Sequence, residues 1–287
     1  MERFFVFVYG TLRRHERNYY LLKEAELVAE QAWTEGKLFD TGFGYPALQE
    51  SSSDVVYGEL YLVTEGQLYR LDELEGYSVE GQDNLYNRKK QLIFHDTGKT
   101  EAFVYTIAKP NNHMLKTPIV SGDWKEYNLH LRKQDPILYF AYGSCMDDAR
   151  FKLAKVDQYF QKVTGTGILH GYTLRYSVKV ADGGRADIVE EGGIVEGKVY
   201  EIPPDCVTYL YRREGVGSCL YRPTFVDLFI NGSLYKDVLT FTVVSKEAET
   251  APPKHYSEEI IRGGTGFLSE AYLEKLKNHI NILCKQS

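Results

Sequence analysis

The chain has 287 residues, 43% hydrophobic and 26% charged, which is enough apolar content for packed cores over about two domains' length and too much for a disordered chain. A net charge of −6 without a lysine–arginine block argues against a nucleic-acid groove. Four scattered cysteines without a CxxC, and seven histidines without HxH or HExxH spacing, argue against a disulfide framework or a bound metal.

In chain order, Phe4 to Val8 forms an apolar run of strand length that stops at Gly10, where a small residue permits a tight turn. Thr64-Glu-Gly-Gln67 reads as a capping box, and Leu68, Leu71 and Leu74 recur at helical spacing behind it. That helix should end at Glu75 with Gly76 as its stop. Lys90 to His95 and Ala102 to Ile107 carry the β-branched and aromatic residues of strands. A polar stretch from His130 closes at Pro136, which cannot continue a helix, and a second apolar strand follows from Ile137 to Tyr142, stopping at Gly143. Pro203 and Pro204 then mark a helix start with Asp205 beside the cap, Gly215 marks its end, and Asp237 to Val244 reads as a strand. No apolar run nears the ~20 residues of a membrane helix, and the N-terminus lacks a signal-peptide layout. A soluble, cytoplasmic chain without metal, cofactor, nucleic-acid or membrane partner is therefore expected, its oligomeric state left open.

The chain repeats itself. Tyr9-Gly10-Thr11-Leu12 answers to Tyr142-Gly143-Ser144-Cys145, 133 residues on, and Gly58 in VVYGELY answers to Gly197 in IVEGKVY, 139 on. Glu75-Gly76 and Glu214-Gly215 recur at 139, and Leu85-Tyr86 and Leu220-Tyr221 at 135. Four landmarks in one order imply a tandem duplication, with one copy over residues 1–132, a junction near 130–136 and a second copy over 136–287. Strands and helices without a βαβ rhythm predict an α+β fold with a largely antiparallel, barrel-like sheet in each copy.

Two features could carry chemistry. The turns Gly10-Thr11-Leu12 and Gly143-Ser144-Cys145 can present successive backbone N–H groups to a carboxylate or oxyanion. The glutamates at the helix ends, Glu75 and Glu214, face the negative pole of the helix dipole, a place a sequence would not choose for stability. In the first copy Asp72 stands three residues before Glu75 and its charge should further disfavour ionisation, moving the pKa toward that of a general base.

These residues carry a resemblance. FVYGTLRR, LDELEG and LYNRKKQLI are similar to the γ-glutamylamine cyclotransferase branch of the γ-glutamylcyclotransferase-like family. AYGSCM, GGRADI, REGV, LYRPT and the Pro252-Pro253-Lys254-His255-Tyr256 tail resemble its glutathione-acting branch. The resemblance implies two tandem domains, each a small mixed β-barrel with flanking helices. It implies a small-molecule γ-glutamyl substrate that cyclises to 5-oxoproline as its own α-amine attacks the γ-carbonyl, with Glu75 and Glu214 as general bases. It further implies that Gly10, Thr11, Leu12, Gly143, Ser144 and Cys145 form the binding turns. Tyr9 and Tyr142 would line the pockets or pack beneath them.

Cys145 departs from the asparagine usual after the serine in the glutathione-acting branch, and Arg212 and Arg213 are read as replacing the acidic pair Asp72 and Glu73. Two rival readings follow: a thiol amidohydrolase with Cys145 as nucleophile and His170 or His255 as base, and a non-catalytic γ-glutamyl sensor or scaffold. Leu12, which holds the place of Cys145 in the first copy, cannot act as a nucleophile.

Overall fold

The computed structural model describes residues 2–81, 83–132 and 135–286; positions 133 and 134 of the expected junction lie outside them. The chain divides into two compact units, Met1–Arg132 and Lys133–Ser287. The first contains β1 (Arg3–Val8), β2 (Glu26–Glu35), β3 (Lys37–Asp40), β4 (Pro46–Gln49), β5 (Val55–Thr64), α1 (Glu65–Leu74), β6 (Tyr86–His95), β7 (Gly98–Ile107), β8 (Thr117–Pro118) and α2 (Trp124–Arg132). The second contains β9 (Ile137–Ala141), α3 (Asp148–Leu153), β10 (Val163–His170), β11 (Thr173–Val180), β12 (Gly183–Val189), β13 (Ile194–Ile202), α4 (Pro204–Arg213), β14 (Tyr221–Ile230), β15 (Ser233–Val243), α5 (Lys254–Gly264) and α6 (Glu270–Gln286).

Each unit closes a five-stranded barrel. The first runs β1-β5-β2-β6-β7 and back to β1, where Val6 pairs with Phe103 in parallel. The second runs β9-β13-β10-β14-β15 and closes in parallel through Tyr139 and Leu239. The two rings have the same strand order, and their other pairings are antiparallel, so the fold agrees with the sequence expectation.

Both faces of β1 are covered, which explains its unbroken apolar run. Phe7 and Tyr9 enter a cluster with Val56, Leu60, Ile93, Val104 and Trp124, while Val6 and Val8 enter another with Tyr61, Val63, Leu68 and Leu71. The duplicated glycines have a steric cause. A Cβ on Gly58 would stand 2.2 Å from the Val8 carbonyl oxygen, and one on Gly197 would stand 2.3 Å from that of Ala141. The neighbouring strand and the ring of Phe7 or Phe140 occupy that space, so only glycine fits.

Candidate active site

The helix boundaries bring the expected glutamates to corresponding places. Thr64 caps α1 by accepting the Gln67 N–H, Gln67 answers at the Thr64 backbone, and Glu75 is the C-cap before Gly76 in the left-handed region at φ 60°. Pro203 caps α4, Glu214 is its C-cap, and Gly215 has φ 64°. With the C-caps aligned, Arg213 takes the place of Leu74 and Tyr211 that of Asp72. The arginine pair thus stands one residue away from the pairing read in the sequence.

In the first unit Glu75, Tyr9, Gly10, Thr11 and Leu12 line one cavity of about 250 Å³, together with Arg17, Asn18, Tyr45, Pro46, Tyr86 and Tyr105. The turn is held from below. Arg13 donates to Asp123 at 2.8 Å and to Glu59 at 3.2 Å, and Glu59 also accepts the Arg14 N–H at 2.8 Å. Among the described residues no acceptor takes the N–H groups of Gly10, Thr11 or Leu12. Tyr9 spends its hydroxyl on the Tyr105 carbonyl at 2.7 Å, so it lines the cavity with its ring and anchors the turn to β7.

Glu75 is half-buried, its carboxyl has no hydrogen-bond partner among the described residues, and loss of water around that carboxyl pushes its pKa up to about 7. The cause differs from the expected one. Asp72 accepts Tyr105 Oη at 2.7 Å and Arg88 at 2.5 Å, so its charge is neutralised locally and desolvation alone shifts Glu75.

The second unit assembles the corresponding residues and closes over them. Tyr142, Gly143, Ser144, Cys145 and Glu214 line a cavity of only about 30 Å³, room for little more than a water molecule. Arg213 donates to Cys145 Sγ at 2.9 Å and to Ser144 Oγ at 3.0 Å, and Cys145 donates to Glu214 at 3.2 Å. Tyr256 of α5 also lines the cavity, its hydroxyl accepting the Ala186 N–H at 3.1 Å. Arg150 donates to Glu259 at 2.9 Å and Arg262 pairs with Asp147, which clamps α5 beside the turn. Burial raises Glu214 as well, but the Arg213 charge and the Cys145 hydrogen bond oppose the shift. Burial pushes the Cys145 thiol up to about 11, with Arg213 acting against it.

Neither candidate histidine serves Cys145. His170 packs edge-on against Phe229, and His255 stands 3.6 Å from Asp182. Sequence reading also passed over Arg17, Tyr45, Tyr105, Arg213 and Tyr256 as site residues. Tyr86 and Arg213 had a signal, since each belongs to a duplicated landmark, and Tyr256 stands in the tail that carries the resemblance; Arg17, Tyr45 and Tyr105 come from segments without one.

Two barrels of one topology, each with a helix-end glutamate facing a strand-end turn, define a duplicated small-barrel protein. Residues 6–126 match the family described as gamma-glutamyl cyclotransferase, AIG2-like, and residues 194–276 match the AIG2-like family. YkqA of Bacillus subtilis is 46% identical over 281 residues, covering 98% of each chain. The crystal structure of YkqA superposes with a TM-score of 0.89 at 44% identity, covering 98% of this chain and 99% of that one. The gamma-L-glutamyl-butirosin B gamma-glutamyl cyclotransferase of Niallia circulans is 39% identical over 125 residues, 43% of this chain and 77% of its own. The chain belongs to the γ-glutamylcyclotransferase family.

Proposed function

We propose that the first unit converts a γ-glutamyl amide into 5-oxoproline and a free amine, with Glu75 as general base and then general acid. The observation that carries this reading is a carboxyl with a pKa near 7 in a cavity shared with a turn whose N–H groups have no acceptor among the described residues. Glu75 takes a proton from the substrate's α-ammonium, and the amine nitrogen attacks the γ-carbonyl carbon. The five-membered ring makes this an intramolecular step, so proximity supplies much of the rate. When the tetrahedral intermediate collapses, the bond to the departing nitrogen breaks, the proton on Glu75 passes to the leaving amine, and the ring nitrogen gives up its second proton, so that 5-oxoproline leaves as a neutral lactam and the amine as an ammonium. The free N–H groups of Gly10, Thr11 and Leu12 suit the substrate's α-carboxylate. No cofactor enters this chemistry, and a cytoplasmic setting is part of the same reading.

The second unit is read as a non-catalytic copy, because Arg213 and Cys145 occupy the hydrogen bonds that a substrate would need and its cavity is about 30 Å³. The test is release of 5-oxoproline from a γ-glutamyl substrate panel by the intact chain. Glu75→Gln should lower the rate by roughly 10²–10⁴-fold, while Glu214→Gln should leave most of it. A fully active double variant would overturn the mechanism for both copies.

A further inference from the structure

Two charged side chains line the first unit's cavity, Glu75 and Arg17. Tyr9, Thr11 and Leu12 are buried at the inner end, whereas Arg17 is exposed and marks the mouth. Its root is tied to the turn, because the neighbouring Asn18 donates its backbone N–H to the Thr11 carbonyl and its side-chain amide to Thr11 Oγ1, both at 2.9 Å.

The charges around Arg17 are already engaged. Arg13 is held by Glu59 and Asp123, Arg14 pairs with Glu30 at 2.9 Å, and Glu16 pairs with Arg132 at 3.1 Å. Arg17 has no hydrogen bond or ion pair among the described residues; its guanidinium lies 5.9 Å from the centre of the Tyr45 ring. The second copy supplies a comparison. At the same 133-residue offset stands Arg150, and there a carboxylate from α5, Glu259, engages it at 2.9 Å. In the first unit the corresponding arginine keeps its carboxylate-binding fork open to the cavity mouth.

On the proposed reading, the two charges of the γ-glutamyl group are matched inside the cavity, the ammonium by Glu75 and the α-carboxylate by the turn. A cation at the mouth then faces whatever lies beyond the amide that breaks. We infer that Arg17 selects the leaving group, so that the first unit takes γ-glutamyl amino acids, whose departing amine carries a carboxylate, over γ-glutamyl alkylamines. This inference rests on the proposed function. It runs against what the amine-branch resemblance of this copy alone would suggest.

The test uses two ligands that differ by one carboxylate, γ-glutamylglycine and γ-glutamylmethylamide. Equilibrium binding is measured on the full chain carrying Glu75→Gln, which removes turnover. γ-Glutamylglycine should bind roughly tenfold tighter, a margin that shrinks in high salt. Adding Arg17→Ala should erase the preference, and Arg17→Lys should restore part of it. Arg17 is exposed, so neither substitution disturbs a core. Equal binding of the two ligands, or no binding of either, would overturn the inference. An equal loss for both ligands in Arg17→Ala would also overturn it, by assigning Arg17 to the α-carboxylate they share. Failure of the proposed function has a different signature: γ-glutamylglycine is preferred in binding, yet the unmutated chain releases no 5-oxoproline from either compound.

Discussion

On the proposed function, the acid–base work of the first unit rests on one carboxyl group, Glu75. Its pKa near 7 comes from desolvation, so the base form is fully present only above that value. The rate of 5-oxoproline release should therefore fall about tenfold per pH unit below 7, and this limb should vanish in Glu75→Gln, as a pH–rate profile would show. The same shift has a stability consequence. A carboxyl whose folded pKa is raised destabilises the fold where it is ionised. The penalty is absent below pH ~4.5, builds as pH rises and is complete above pH ~7. Glu75→Gln should thus raise the first unit's stability by up to about 3 kcal/mol at pH 8 and change it little at pH 4, measured by urea titration at both values. Cys145 should behave differently. Its thiol is pushed up to about 11, and a copy without that thiol carries the open cavity, so Cys145→Ser should keep most of the activity. A thousandfold loss would assign the chemistry to the thiol.

The strands and helices show how two related elements do one task with opposite charges. In the first unit Glu59 on β5 lies beneath the turn, bonded to Arg13, the Arg14 N–H and Tyr61 Oη, with Lys125 at 3.6 Å. In the second, Lys198 holds the corresponding place on β13 and donates to the Met146 carbonyl at 2.8 Å. Burial alone would raise Glu59, but Lys125 and Arg13 outweigh it and hold the carboxyl below its ordinary range. Its contribution is present at neutral pH and fades as acid protonates it. Removing one partner of a buried charge cluster strands the others, so Glu59→Ala should cost about 3–5 kcal/mol in the first unit, read from denaturant unfolding at pH 7. The end of α1 shows a related substitution of means. Asp72 ties it to Tyr105 and Arg88 through polar bonds, whereas Tyr211 in α4 packs edge-on against Phe241 at 5.9 Å. Either contact positions a helix-end glutamate.

At the scale of the whole molecule, each unit closes its own barrel and buries its own core. Residues 1–132 and 136–287, expressed separately, should therefore each unfold in one cooperative transition by heat and by denaturant. Fragment 1–132 alone should retain the 5-oxoproline-releasing activity. A half that stays in solution only beside the other would show that the two share a core. No helix among the described residues is long and apolar enough to cross a membrane.

The sequence alone carried the duplication, the helix ends and both glutamates, because each depends on local rules. A capping box begins α1, a left-handed glycine ends α1 and α4, and a glycine is needed wherever a strand passes within contact distance. Fold class was legible for the same reason, since two ordered copies of one strand-and-helix pattern admit few architectures. The tertiary structure decided which copy has an open site. Arg213 reaches Cys145 and Ser144, and Tyr256 lines the closed cavity, only because α4 and α5 pack around that turn. It also decided why the Glu75 pKa is raised, since desolvation depends on neighbours from β1, β4, β6 and β7 that no spacing within the chain reveals.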